Sequence, residues 1–170
     1  MGKNDNKFGN KRKTNFIGSR PSDDIESSDL SKRCKFNFSY FDDSQPCGQS
    51  FSDWESSTGM TSLASLLTKV KEYTRQPLIY WQNQRVGGGG LKVFEIYKGF
   101  PKKSAFSAPP SIPHDVHWAR FRLGNKIRLA GFVMPGTMDG QEINGFRLDK
   151  NTFYVVFLDK DHMFYQTEKD

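Results

Sequence analysis

The stretch HWARFRLGNKIRLAGFVM, residues 117–134, limits the possible folds of this chain more than any other. Two runs whose apolar residues recur at every second position flank Gly124 and Asn125, residue types that make tight turns. A period of two fits a strand and not a helix, so the chain is expected to build an antiparallel sheet around this hairpin. In the first run Ala119, Phe121 and Leu123 point one way, and Trp118, Arg120 and Arg122 point the other. In the second, Ile127, Leu129, Gly131 and Val133 oppose Lys126, Arg128, Ala130 and Phe132. One face is therefore apolar and the other basic. Arginines at alternate positions of adjacent strands lie roughly 5–8 Å apart and repel one another unless an anion neutralises them. The guanidinium fork matches phosphate, and an interleaved Trp118 is expected to stack on a base. The alternative is a solvated sheet face, neutralised by Asp or Glu from a neighbouring strand or from an acidic segment near the start.

The flanking segments supply the other layers. TFYVVFLD, residues 152–159, is nearly continuously apolar, as expected of a central strand buried on both faces. CKFNFSYF, residues 34–41, alternates and predicts another strand, and LKVFEIY predicts a third. In TSLASLLTKVKEYTR, Leu63, Leu66, Leu67, Val70 and Tyr73 fall at helical spacing, with Thr61 or Ser62 as N-cap, and Pro77 ends the helix at or before Gln76. FSDWESS predicts a short helical turn, and PLIYWQN a short helix packed by Leu78, Tyr80 and Trp81. RVGGGG lacks the GK[ST] ending of a phosphate loop and is expected to be a turn. FPKKSAFSAPPSIPHD and PGTMDGQEINGFRLDKN are expected to be surface loops, and KDHMFY a turn with a short edge strand or terminal extension. The fold class that follows is α+β: a mostly antiparallel sheet with helices packed on one face.

Residues 1–33 differ in kind. A basic half with Lys3, Lys7, Lys11, Arg12, Lys13 and Arg20 precedes an acidic, serine-rich half with Asp23, Asp24, Glu26 and Asp29. Neither has the apolar content to offset ordering entropy, so 1–33 is expected to be a flexible, disordered arm and 34–170 a single domain. The net charge of +6 favours an acidic partner such as nucleic acid. The first twenty residues have no apolar core of the signal-peptide type, and no run approaches the roughly 18 apolar residues of a membrane span. A cytoplasmic protein without a membrane partner is the expectation, with Cys34 and Cys47 reduced. The three histidines and two cysteines show no metal-ligand spacing, so neither a metal nor another cofactor is expected.

His162 and Tyr165, just beyond the apolar octet, and His117, ahead of the arginines, are the candidates for proton transfer. Asp159 and Asp161 fit a turn better than a catalytic carboxylate pair. The order strand, helices, then successive antiparallel strands, with WARFRL, IRLAGFVM, FYVVFLD and the tail DHMFY, resembles the RelE/ParE superfamily of bacterial toxins over residues 34–76 and 117–166. The resemblance implies a RelE-like, metal-independent endoribonuclease in which the RNA 2′-OH attacks the adjacent phosphate. It implies the ribosome as the place of action and a cognate antitoxin as partner. Arg120 and Arg122 would then grip phosphate, Arg128 would stabilise the transition state, and His162 or Tyr165 would move protons. The basic arm, LKVFEIY, the proline-rich excursion and the loop of residues 135–151 are additions to the family pattern. A non-catalytic nucleic-acid-binding module and an interaction subunit of a defence complex are the other readings.

Overall fold

The computed structural model describes residues 11–19 and 24–166. The chain divides into two compact units, Met1–Ser31 and Lys32–Asp170. In the first unit, helix α1 spans Lys11–Gly18 and leaves Phe16 and Ile17 exposed. The flexible arm expected over 1–33 falls in part on residues 1–10 and 20–23, outside the described residues.

The second unit is α+β, as the sequence predicts. Its elements are β1 (Lys35–Asn37), α2 (Phe51–Glu55), α3 (Leu63–Tyr73), α4 (Leu78–Asn83), β2 (Arg85–Val86), β3 (Leu91–Lys92), β4 (Phe94–Ile96), β5 (His117–Arg122), β6 (Arg128–Val133), β7 (Glu142–Ile143), β8 (Phe146–Arg147) and β9 (Thr152–Asp159). Five strands form one sheet in the order β1-β9-β6-β5-β4. β1 runs parallel to β9 and every other pair is antiparallel.

Local chemistry explains most of the boundaries. Ser50 and Asp53 form a reciprocal capping box at the start of α2. Ser62 caps α3 by accepting the Ser65 N–H at 3.2 Å. Leu66 and Tyr73 of α3 are buried, but Leu67 of the expected stripe faces solvent. α4 buries Leu78 and Trp81 and leaves Tyr80 exposed. The strand expected over 34–41 stops at Asn37, whose side chain accepts the Ser39 N–H at 2.8 Å and starts a turn. The four glycines of RVGGGG sit in the turn of the β2–β3 ribbon, with Gly87 and Gly90 at positive φ. LKVFEIY is split between β3 and β4. The loop expected at 135–151 contains the β7–β8 ribbon, turned by Asn144 and Gly145, both at positive φ. An Asn-Gly pair is a strong hairpin signal, which is why a ribbon forms inside this polar loop. KDHMFY forms turns and no strand.

Both faces of the sheet are covered. All the helical core residues, Trp54, Leu66, Tyr73, Leu78 and Trp81, lie on the face that carries Phe94, Phe121, Leu129, Phe153 and Leu158. The opposite face carries Trp118, Ala130, Phe132 and Phe157, and Phe106, Val116 and Phe164 close over it without a helix. The segment expected to be a surface excursion thus supplies a second apolar layer. A β-bulge sits where β6 passes β9: Ala130 faces Phe157 while Gly131 faces Val155. Val156 is the extra residue, and beyond it the alternation of β9 changes phase. Val156 and Phe157 share the second face, and Leu158 returns to the first. Among the described residues no helix is long and apolar enough to cross a membrane.

Candidate functional site

β5 and β6 pair with Trp118 opposite Phe132, Arg120 opposite Ala130 and Arg122 opposite Arg128, and the Leu123 N–H donates to the Ile127 carbonyl at 3.0 Å, so the turn holds Gly124, Asn125 and Lys126 rather than Gly124 and Asn125 alone. The far half of the second face, around Trp118, is the half that the apolar layer covers. The near half, at the Gly124-Asn125 turn, is left to the arginines.

Trp118 is only 4% exposed. Its ring meets Phe100 edge-on at 4.7 Å and lies parallel to Phe157 at 6.2 Å. It therefore cannot stack on a base, and that expectation is corrected. The physical reason is the second layer: Phe100, Phe106 and Phe164 arrive from segments that the local alternation of β5 does not report. His117 begins β5 opposite Val133, at the other end of the strand from Arg122, and lies away from the arginine cleft.

Arg120, Arg122, Arg128, His162 and Tyr165 do converge. With Lys126, Asn125, Leu91 and Glu95 they line a cavity of about 410 Å³. Arg120 is 7% exposed and Arg128 2%. Arg120 donates from Nη2 to Glu95 Oε2 at 2.7 Å and from Nε to the Tyr97 hydroxyl at 2.7 Å. Arg128 donates from Nη1 to the carbonyls of Gly124, Asn125 and Ile127 at 3.0, 2.9 and 2.9 Å, which locks the guanidinium against the turn. Arg122 donates to the carbonyls of Lys92 and Asn125 at 3.4 and 3.1 Å. Arg120 Nη1 and Arg128 Nε are buried with no hydrogen-bond partner. Buried polar groups are nearly always paired, so two orphan N–H groups beside one cavity require an explanation.

The carboxylates near the site do not balance it. Four cations, Arg120, Arg122, Lys126 and Arg128, line the cavity with one carboxylate, Glu95. Asp159 lies across the strand pair from Arg128, and is fully buried. Its oxygens accept the backbone N–H groups of Asp161, Met163 and Phe164 at 3.1, 3.0 and 2.9 Å. Asp159 is thus the turn residue the sequence suggests, and it holds the C-terminal turn against the sheet. Burial, together with the charges of Arg120 and Arg122, pushes the Arg128 guanidinium down to about 9. It stays cationic at neutral pH, but its charged form is poorly compensated.

The C-terminal turn places the remaining two side chains. Met163 O accepts the Ala105 N–H at 2.9 Å, and Phe164 is buried in the second layer. His162, just ahead of these anchors, adopts φ 62°, a left-handed conformation that few residues other than glycine hold. Burial and the nearby Arg128 and Arg120 lower its pKa, so the neutral imidazole is the dominant form near pH 7. The Tyr165 ring stacks on Tyr97 at 5.2 Å and 7°. Arg120, Tyr97 and Tyr165 therefore form one chain of contacts.

Lys126, on the basic face of the sequence pattern beside Arg128, is a further cation of the cleft. Glu95 had no signal of its own, since only the β4–β5 register puts it opposite Arg120. Among the described residues no group of three or more His, Cys, Asp and Glu side chains is arranged to hold a metal ion. Comparison of the chain with protein-family models, with curated proteins and with solved structures finds no match in any of the three.

Proposed function

We propose that the arginine cleft binds a phosphodiester of RNA and that the chain cleaves it by attack of the neighbouring 2′-OH. The observation that carries this reading is the pair of buried, unpartnered guanidinium N–H groups of Arg120 and Arg128, beside a cavity that also holds a neutral histidine and a tyrosine. A phosphate would bring negative charge to the three guanidiniums and acceptor oxygens for the unpartnered N–H groups of Arg120 and Arg128. In the reaction His162 takes the 2′-hydroxyl proton as the 2′-oxygen attacks phosphorus. The bond from phosphorus to the 5′-oxygen breaks, and the leaving oxygen takes a proton from the Tyr165 hydroxyl. A 2′,3′-cyclic phosphate and a free 5′-hydroxyl result, and proton return from His162 to Tyr165 through solvent resets the site. Arg120, Arg122 and Arg128 stabilise the charge that builds on the non-bridging oxygens, and their prior fixation by the turn carbonyls, Tyr97 and Glu95 lowers the reorganisation needed. The RelE-like activity expected from the sequence is this same chemistry, with the ribosome as its setting and an antitoxin as its inhibitor.

The test is incubation of the purified chain with mixed RNA in EDTA, with and without translating ribosomes, beside Arg128→Ala and His162→Asn. Asparagine tolerates the left-handed backbone at position 162 better than alanine does, so that variant isolates the imidazole. Fragments ending in 2′,3′-cyclic phosphate, lost in both variants, support the reaction. RNA that binds in an Arg128-dependent way but stays intact under both conditions leaves a non-catalytic nucleic-acid-binding module.

A further inference from the structure

A second cavity, also of about 410 Å³, adjoins the arginine cleft. The two share Leu91, Arg122 and Asn125 as lining residues, so Arg122 stands at the border between them. Their characters differ. The second cavity is lined by Tyr73, Trp81 and Leu123, with Gln84 and the charged Lys69, Glu72 and Arg85 also on its wall. That wall is rigid. Trp81 Nε1 and the Cys34 thiol both donate to the Tyr73 carbonyl, at 2.7 and 3.1 Å, and the Tyr73 hydroxyl donates to the Arg122 carbonyl at 2.6 Å. A cationic cleft adjoining a cavity that combines an aromatic and apolar wall with polar and charged groups calls for a ligand of matching halves: a phosphate joined to a flat ring whose rim can form hydrogen bonds.

We propose that this second chamber takes the nucleobase of the nucleotide whose phosphate lies among Arg120, Arg122 and Arg128, which makes the substrate single-stranded RNA with one base withdrawn from its stack. The inference rests on the phosphate-binding reading of the arginine cleft and adds where the base goes. A duplex base is held by pairing and stacking, which must be broken to withdraw it, whereas a single strand offers it with little penalty. Gln84, able to donate and accept at once, is the side chain placed to read the ring edge.

Isothermal titration with inorganic phosphate, ribose 5-phosphate and the four nucleoside 3′-monophosphates tests this. At least one nucleotide should bind tenfold or more tighter than ribose 5-phosphate. Val86→Trp, on the exposed β2 strand lining only the second chamber, should abolish that gap and leave the affinity for inorganic phosphate within twofold. Gln84→Ala provides an independent check should Val86→Trp not fold, and should shrink the gap at least threefold. Equal affinities for the nucleotides and ribose 5-phosphate would overturn the base chamber while leaving the phosphate site standing, as would a gap that neither variant changes. Absence of binding by inorganic phosphate and all the nucleotides would overturn both readings together.

Discussion

Arg128 and Glu95 set the electrostatics of the cleft from opposite sides. Arg128 is held by three backbone carbonyls, a geometry that suits a planar fork and not an ammonium. Arg128→Lys is therefore expected to keep the charge yet lose about tenfold or more in phosphate affinity, since charge-assisted hydrogen bonds contribute about 1.5–3 kcal/mol each. Glu95→Gln removes the carboxylate lining the cavity and should tighten phosphate binding several-fold at low salt, measured by the same titration. His162 adds a pH signature. Its pKa lies below the ordinary value of about 6.5 in the folded protein, because of burial and of Arg128, Arg120 and Arg122, with Asp159 opposing them. The unfolded chain thus binds the proton more readily, so this group costs nothing well above pH 6.5 and takes stability away as pH falls below it, until the folded pKa is reached. Denaturant midpoints between pH 7.5 and 5 should show that loss in the native chain and a smaller one in His162→Asn. Saturating phosphate should blunt it, because an anion in the cleft favours the imidazolium. The three arginines of the paired strands were legible in the sequence, and so was the histidine. Glu95 was not, because cross-strand partners depend on register and not on neighbours in the chain.

At the scale of elements, the bulge in β9 matters most. Were β9 regular at Val156 instead of bulged, strict alternation would turn Asp159 to the same face as Phe153 and Val155, toward the helices. With the bulge, Asp159 reaches the C-terminal turn and holds His162 beside the arginines. Gly131 is the partner residue that permits this. A Cβ there would overlap the Tyr154 carbonyl, so close is the approach of β9. Gly131→Ala is expected to lose about 2–3 kcal/mol by forcing the two strands apart, read from the urea midpoint at unchanged slope. If the proposed RNA cleavage takes place, it should fall as well, since the displaced strand carries Asp159. By contrast, the helix α3, its Ser62 cap and the β5–β6 hairpin follow from local residue chemistry, and the sequence predicts all of them within a few residues. The glycine that looked like an ordinary member of an alternating strand has a structural demand visible only once β9 lies beside it.

For the whole molecule, charge and layering decide behaviour. If RNA binds through the cleft, its affinity should fall steeply with salt as counterions are released, and the double variant Arg120→Ala, Arg122→Ala should flatten that slope by roughly two ions' worth. A slope unchanged in the double variant would remove the cleft from the contact. The sheet, its two apolar layers and the cleft all lie within residues 32–170, so deleting residues 1–31 should leave the cooperative unfolding transition of that unit intact. What the sequence by itself determined is the α+β class, the antiparallel hairpin, the helical layer on its apolar face and a basic face on the other side. These follow because alternation and helical spacing are short-range patterns, carried by residues two to four positions apart. Only the tertiary structure decided how that basic face is divided. The segments that bury Trp118 and the turn that brings His162 and Tyr165 to Arg128 come from positions far along the chain. Their arrival depends on strand register, one bulge and long-range packing, none of which a local pattern encodes.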